Sequence, residues 1–452
     1  MEVISWLNYN RRRILTWFKD DVFRRLFLNA GKLLSANVFA ALLGFVTAIL
    51  TARTLGPEKY GILALVLVYQ LTIGKLVTFN AWQAIIKYGS EALHAHDRSA
   101  LRQLIKLGFC LDIGSAVVGM VVAIMLAGPL IGLLGWDQAV KPLLILYSLL
   151  ILFSLSGTPI GILRLFDRFD LLSYVAVISA SVRLAGIILC LITGQALLGF
   201  VLVYLITGII GQLYQVFASL WVLRKQGIGN VMRESMKGIR IKFPGICDYV
   251  WTANLNSTIR MLSREADELI IAGMTTPAAL GLFKIAKQFS QVLPRLIDPL
   301  YQAIYPELTR LWASNRKKDF LSLSKRTTLI VGTMAIIGWI GFLLSGRWII
   351  QVTVGPSYLQ AYVVALIYLL ALVIALWALV LQPSMLAMGL PRNSFKAHTG
   401  ATFFYFILLF PAVYLLGIIG ASLAYVAYYI IWAVLMIRYL WPSLVFRADV
   451  CG

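Results

Sequence analysis

Charged and amide side chains recur at helical spacing through two stretches otherwise built of Leu, Ile, Ala and Phe. The first carries Asn256, Arg260, Arg264, Glu265, Asp267 and Glu268, and the second Lys284, Lys287, Gln288, Gln291, Arg295, Asp298 and Gln302. Asn256, Arg260, Arg264 and Asp267 follow steps of four, four and three, which lines them along one face of a helix. Lys75 and Arg183 add two cations inside earlier apolar runs. A guanidinium can hold two phosphate oxygens at once and an ammonium supplies a compact positive charge, so the chemistry expected of this set is recognition of an anionic group such as a pyrophosphate. The candidate ligand contacts are therefore Arg260, Arg264, Lys287, Arg295, Lys75, Arg183, Lys284, Gln291 and Asn256. Asp112, Asp267 and Asp298 are the carboxylates that could exchange a proton or a sodium ion. A competing reading pairs the charges internally, Arg264 with Glu268 and Arg295 with Asp298, so that they only hold helices together.

The elements that must position these groups are set by composition. The chain has 452 residues, 60% of them hydrophobic and 13% charged, with a mean hydropathy of +0.85, too apolar for a surface facing water. Apolar runs of about 20 residues, enough to cross a hydrocarbon core of about 30 Å, recur along its whole length. Candidate spans are Leu34–Leu55, Gly61–Asn80, Leu107–Leu126, Leu143–Leu163, Leu171–Leu191 and Leu197–Leu220, then Tyr249–Ile271, Ala279–Gln302, Leu329–Leu344, Ala361–Leu381, Phe395–Leu416 and Gly420–Leu440. The expected fold is thus all-α and integral to the membrane, with twelve spans in two six-helix bundles. The expected organisation is an interfacial segment over 1–33, bundles over 34–223 and 245–441, a basic linker over 224–244, and a tail over 442–452. A charge near a helix centre costs about 2.5–3.5 kcal/mol on insertion scales, so the seventh and eighth spans must turn their polar stripes to a water-filled interior between the bundles.

The net charge of +21 raises nucleic acid as a partner, and the placement of the charge removes it. The basic residues gather in alternate loops: Arg11, Arg12, Arg13, Lys19, Arg24, Arg25 and Lys32; Lys87, Arg98, Arg102 and Lys106; Arg164 and Arg168; Arg224, Lys225, Arg233, Lys237, Arg240 and Lys242; Arg310, Arg316, Lys317, Lys318, Lys325 and Arg326; Arg392, Lys396, Arg438 and Arg447. The other turns hold Arg53, Lys59, Lys141 and Arg347. Lys and Arg beside a span resist translocation, so both termini are expected in the cytoplasm. The segment before the first span has no small-residue cleavage site and reads as uncleaved. Four cysteines suggest no disulfide, and His94, His96 and His398 are too scattered for a metal cluster. No G-x-x-x-x-G-K-[ST] loop occurs. No cofactor is expected, and energy would come from a proton or sodium gradient.

The turn after the first span, Gly56-Pro57-Glu58-Lys59-Tyr60-Gly61-Ile62, matches the turn after the seventh, Thr276-Pro277-Ala278-Ala279-Leu280-Gly281-Leu282. Pro57 and Pro277, Gly61 and Gly281, Lys75 and Arg295, and Gly135 and Gly355 are each 220 residues apart. Six is even, so the two halves enter from the same side as a parallel repeat, and the cleft between them is the expected site.

Thr51-Ala52-Arg53-Thr54-Leu55-Gly56-Pro57-Glu58-Lys59-Tyr60-Gly61 and Ala84-Ile85-Ile86-Lys87-Tyr88-Gly89 carry a resemblance. So do the turn at Gly281 and Val354-Gly355-Pro356-Ser357-Tyr358. The chain resembles the polysaccharide-export branch of the multidrug/oligosaccharidyl-lipid/polysaccharide superfamily, the Wzx-type O-antigen and oligosaccharide flippases. The resemblance implies a V-shaped pair of bundles alternating access around a cationic cavity and moving undecaprenyl-pyrophosphate-linked oligosaccharide outward. It also implies membrane lipids and a lipid-linked oligosaccharide as partners, polymerase and chain-length proteins as associates in lipopolysaccharide assembly, and a monomer as the working unit. A multidrug or cation antiporter of the same superfamily is the nearest rival, and its cavity should favour acids. A membrane polysaccharide polymerase or glycosyltransferase is the other, and it would need a larger extramembrane loop than the short turns here provide.

Overall fold

The computed structural model describes residues 21–77, 79, 81–246, 248–251, 254 and 267–445, with the side chains of all of these except 21–35, 37, 240, 293–303 and 441–445. Among the described residues the chain is helical with short turns. In order come α1 (Asp21–Val77), α2 (Trp82–His94), α3 (Arg98–Leu134), α4 (Lys141–Leu152), α5 (Gly157–Leu165), α6 (Phe169–Ile192), α7 (Leu197–Lys225) and the short α8 (Ile239–Lys242). After helical residues 267–274 follow α9 (Pro277–Ser290), α10 (Val292–Ala313), α11 (Lys317–Thr353), α12 (Ala361–Trp377), α13 (Leu381–Ala387) and α14 (Pro391–Val445).

Eight described segments are long and apolar enough to span a membrane. Two of them fold back on themselves. α1 is interrupted at Gly56 (φ 72°, ψ 170°) and α14 at Gly417 (φ 58°, ψ −137°), backbone states that glycine reaches without a Cβ clash. A Cβ built on Gly420 would overlap the Ala412 carbonyl, which a straight helix would hold about 12 Å away. The reversals yield the first and second spans from α1 and the eleventh and twelfth from α14. The seventh span is partly outside the described residues. The eighth is α9 and α10, whose charges keep them below an ordinary hydropathy threshold.

Several spans expected as single helices are broken. The second stops at Val77 and resumes at Trp82; the fourth stops at Leu152 and resumes at Gly157; the eighth changes helix at Gln291; the tenth stops at Trp377 and resumes at Leu381. The breaks fall in matching pairs of the repeat, second with eighth and fourth with tenth, and α2 packs on α5 as α10 packs on α13. Ser154, Ser156, Gly157 and Pro159 were the turn signal for the fourth, masked by the flanking apolar run.

One core runs through the turns at Gly56, Gly135, Gly194, Thr276, Gly355 and Gly417, uniting residues such as Leu55, Ile131, Phe200, Leu280, Tyr358 and Leu409 of both halves. At the opposite end the core divides. Ile85, Leu101, Leu104, Phe109 and Leu223 form one cluster with the loop residues Ile228, Val231 and Phe243, and Leu308, Phe320, Met385, Trp432 and Met436 form another. The molecule is therefore joined at one end and split at the other.

The joint is where the sequence repeat meets itself. A Cβ on Gly61 would overlap the Pro277 carbonyl, and one on Gly281 would overlap the Pro57 carbonyl; each would lie 3.0 Å from the partner glycine's backbone N. The equivalent turns cross about a pseudo-twofold axis, backbone on backbone. Tyr358 donates its hydroxyl to the Ala52 carbonyl at 2.9 Å, and Arg53 donates to the Val352 carbonyl at 3.2 Å. Phe45 meets Phe289 deeper along the same contact, ring centroids 5.3 Å apart.

The basic segment after α7 is docked on the first half. Ser99 Oγ donates to Glu234 Oε1 at 2.9 Å, Arg102 Nε to its Oε2 at 2.6 Å, and Lys106 Nζ to its carbonyl at 2.8 Å. Tyr88 stacks edge-on against Phe243, ring centroids 5.5 Å apart.

Replacing Gly61 or Gly281 by Val should force the joined end apart, since no rotamer relieves a clash with backbone. A cysteine placed at Leu280, buried here, should then react with a membrane-impermeant maleimide about tenfold faster, in keeping with the roughly 1–3 kcal/mol that overpacking costs. The hydrogen bond from Ser99, then the Arg102 pair, hold the Glu234 carboxyl below its ordinary value. A depressed pKa contributes docking strength that is complete above the unfolded value of about 4.3 and is lost as pH falls through the lowered one. Hydrogen exchange at Val231 and Arg233 should therefore be pH-insensitive near neutrality once intrinsic rates are removed, accelerate only in acid, and be raised at neutral pH by Glu234→Gln.

Candidate functional site

The candidate side chains do not converge on one cluster. Arg260, Arg264 and Asn256 lie outside the described residues, as do the side chains of Arg295 and Asp298. Gln291 is half-buried at the junction of α9 and α10, its N–H donated to the Lys287 carbonyl at 3.1 Å. The rest divide into paired and unpaired cations.

α9 starts with Thr276 as N-cap and Pro277 in its first turn, an arrangement that satisfies one free N–H and removes another. One turn after the Gly281 crossing, its steps of three and four put Lys284 and Lys287 on a common face. Lys284 Nζ lies 2.6 Å from Glu268 Oε2, and Lys287 Nζ lies 2.9 Å from Glu268 Oε1 and 3.3 Å from Asp267 Oδ2. Glu268 also donates its N–H to Asp267 Oδ1 at 2.8 Å. Lys287, Asp267 and Glu268 are buried. Among the described residues, two ammoniums and two carboxylates thus meet in one internal ion network. Lys284 and Lys287, expected as cargo contacts, are here partnered by carboxylates of the preceding helical segment, while the expected Arg264–Glu268 pair falls partly outside the described residues. Tyr368 stacks on Tyr425 at 4.2 Å, forming an aromatic wall that the sequence analysis did not single out.

Asp112 is 2% exposed, and its Oδ2 accepts the Thr158 N–H at 2.7 Å. Thr158 is the second residue of α5, so the carboxylate caps a helix that restarts inside the membrane, where an anion meets the positive end of the dipole. The sequence places Asp112 near a helix end on the basic side; the structure makes it the cap of the fourth span's break.

Arg183 and Lys75 differ from the α9 lysines. Arg183, half-buried on α6, donates from Nε to Thr207 Oγ1 at 3.4 Å and sets its guanidinium over the Tyr204 ring, 4.9 Å from the centroid. Lys75 is exposed on the last turn of α1, two residues before the second span ends at Val77. Among the described residues, neither has a carboxylate within salt-bridge reach.

A model of the polysaccharide biosynthesis protein family matches residues 26–312. The chain belongs to that family. It is similar to the inner membrane protein YghQ of Escherichia coli (strain K12), 30% identical over 347 residues that cover 76% of this chain and 97% of that protein. Among solved structures, an inward-facing multidrug resistance MATE family transporter of the MOP superfamily aligns with a TM-score of 0.72 at 13% identity, covering 94% of this chain and 100% of that one. The lipid II flippase MurJ in its inward closed conformation aligns with a TM-score of 0.65 at 16% identity, covering 90% and 86%. At these identities the likeness is one of fold, and the fold is that of two six-helix bundles. The chain is thus an all-helical, multi-pass membrane protein of the polysaccharide biosynthesis family.

Removing one member of the α9 network leaves a buried charge without its partner. Lys287→Met should destabilise the detergent-solubilised protein by about 3–5 kcal/mol, read as a lowered Tm. Lys284→Met should cost less, because its side chain is 27% exposed and Glu268 retains Lys287. Adding Asp267→Asn to Lys287→Met should recover part of the loss.

Proposed function

We propose that this protein is a flippase carrying an undecaprenyl-pyrophosphate-linked oligosaccharide from the cytoplasmic to the outer leaflet by alternating access. The observation that carries the reading is Arg183: a guanidinium within a membrane helix, partnered by a hydroxyl and an aromatic face, with no carboxylate in reach among the described residues. Such a group is expensive in hydrocarbon and is retained where an anion or water meets it. The family match adds polysaccharide biosynthesis, and MurJ is by name a lipid II flippase. Lys75 joins Arg183 in holding the pyrophosphate, and the same role is proposed for Arg260, Arg264 and Arg295 across the cleft.

The basic loops lie at the split end, which on the positive-inside rule faces the cytoplasm and makes this arrangement the inward-facing one. Bundles over 34–223 and 245–441 would then rock about the Gly61 and Gly281 crossing, with the segment over 224–244 travelling with the first. Coupling to a proton or sodium gradient is assigned to Asp112 and Asp267, each of which would have to release its present partner during the cycle. The multidrug antiporter reading is less favoured because its cavity should favour acids, whereas Arg183 meets no carboxylate among the described residues.

Arg183→Ala should reduce flipping of the lipid-linked sugar in proteoliposomes about 10- to 100-fold, the effect of removing one hydrogen bond to a charged group. Arg183→Lys should recover only part of it, because an ammonium cannot grip two oxygens of one phosphate. Arg260→Ala with Arg264→Ala should act in the same direction. Wild-type flipping by Arg183→Ala in well-folded protein would remove that residue from the cargo site.

A further inference from the structure

At the split end, the start of the seventh span runs alongside the chain that follows the break in the second. Trp251 lies against Phe79, ring centroids 5.6 Å apart and planes inclined by 35°. Two residues away, Tyr249 lies edge-on to Tyr88 at 5.8 Å. These contacts bring together one helix from each half. Phe79 sits in the break itself and is held by its N–H, which donates to Ser115 Oγ at 3.0 Å. Trp251 remains 57% exposed, so much of its indole is open. A tryptophan that only anchors a helix at the bilayer surface turns its ring to lipid and needs no aromatic partner from the opposite half. Two exposed ammoniums lie on the same stretch of the first half: Lys75, four residues before Phe79, and Lys87, whose Nζ lies 4.7 Å from the Tyr249 centroid and 4.9 Å from that of Tyr88.

We propose that Trp251 and Phe79 form a saccharide subsite, a stacking platform for the first sugar of a glycosyl pyrophosphate whose phosphates face Lys75 and Lys87. The proposal rests on the flippase reading and names the group that reads the part of the cargo the cations cannot. The C–H face of a pyranose is apolar and weakly positive, and an indole presents a broad electron-rich face to it. Every pyranose has such a face, so the platform tolerates varied sugars while rejecting a bare prenyl pyrophosphate. Because its members come from both halves, the platform can exist at this end only while they stand as they do here, so a change in their relative placement would loosen the hold on the sugar.

The test uses the full-length protein in nanodiscs and two short-chain probes, citronellyl pyrophosphate and the same molecule bearing N-acetylglucosamine, with affinities read by native mass spectrometry. The wild type should bind the sugar-bearing probe about fivefold tighter, the increment expected of one aromatic stacking contact. Trp251→Ala should bring the two affinities together by weakening only the sugar-bearing probe, and Trp251→Phe should retain most of the preference. Trp348→Ala, an exposed tryptophan near the joined end, should leave both affinities unchanged. Equal binding of the two probes by the wild type, an unaltered preference in Trp251→Ala, or equal loss of both probes in that variant would overturn the subsite. Failure of the wild type to bind either probe would instead overturn the flippase reading beneath it.

Discussion

Hydrocarbon offers no hydrogen-bond partner, so every break in a helix and every charge within a span must be answered by another group of the protein or by water admitted for a purpose. Much of this architecture follows from that requirement. The restart of the fourth span is answered by Asp112 on the neighbouring helix. Phe79, in the break of the second span, is answered by Ser115. Aromatic side chains finish the work at carbonyls: Trp339 donates to Leu366 at 3.0 Å, and Tyr358 to Ala52 at 2.9 Å. Lys284 and Lys287 are met by Asp267 and Glu268. Against that background a charge left without an opposite charge becomes informative, and Arg183 is such a charge among the described residues.

Joining and splitting are also consequences of packing. Where two helices cross at Gly61 and Gly281, the absence of side chains lets carbonyl and N–H groups of the two backbones approach directly, and the six turns around them share one core. At the other end the apolar side chains divide into two clusters, the first of which also takes in Ile246 and Val250 at the start of the seventh span. Separate cores can move apart without exposing large apolar surfaces, whereas the shared core resists separation. The joined end is thus held by direct backbone contact and a shared core, and the two turns that meet there are related by the repeat. Docking of Glu234 on Ser99, Arg102 and Lys106 makes the basic connection part of the first half and not a slack tether.

The number and order of the spans, the basic and non-basic ends, and the internal repeat were legible along the chain because each depends on local properties. Hydropathy over about 20 residues is a property of one segment, and Lys and Arg in loops stay near their neighbours in sequence. The Gly-Pro turns were visible as a repeat at an offset of 220. That the two copies touch each other was not visible, because contact between them depends on how the halves dock.

The roles of individual charges were decided only by the tertiary structure. Lys287 and Arg183 are both cations set among apolar residues of a membrane helix, yet one faces two carboxylates and the other a hydroxyl and a tyrosine ring. Asp112 and Thr158 stand 46 residues apart along the chain and 2.7 Å apart in space. Helical periodicity tells which face a residue occupies and carries nothing about what the neighbouring helix presents to that face. The sequence determined that these charges had to be shielded from lipid; only folding determined which were neutralised within the protein and which were left to meet something else.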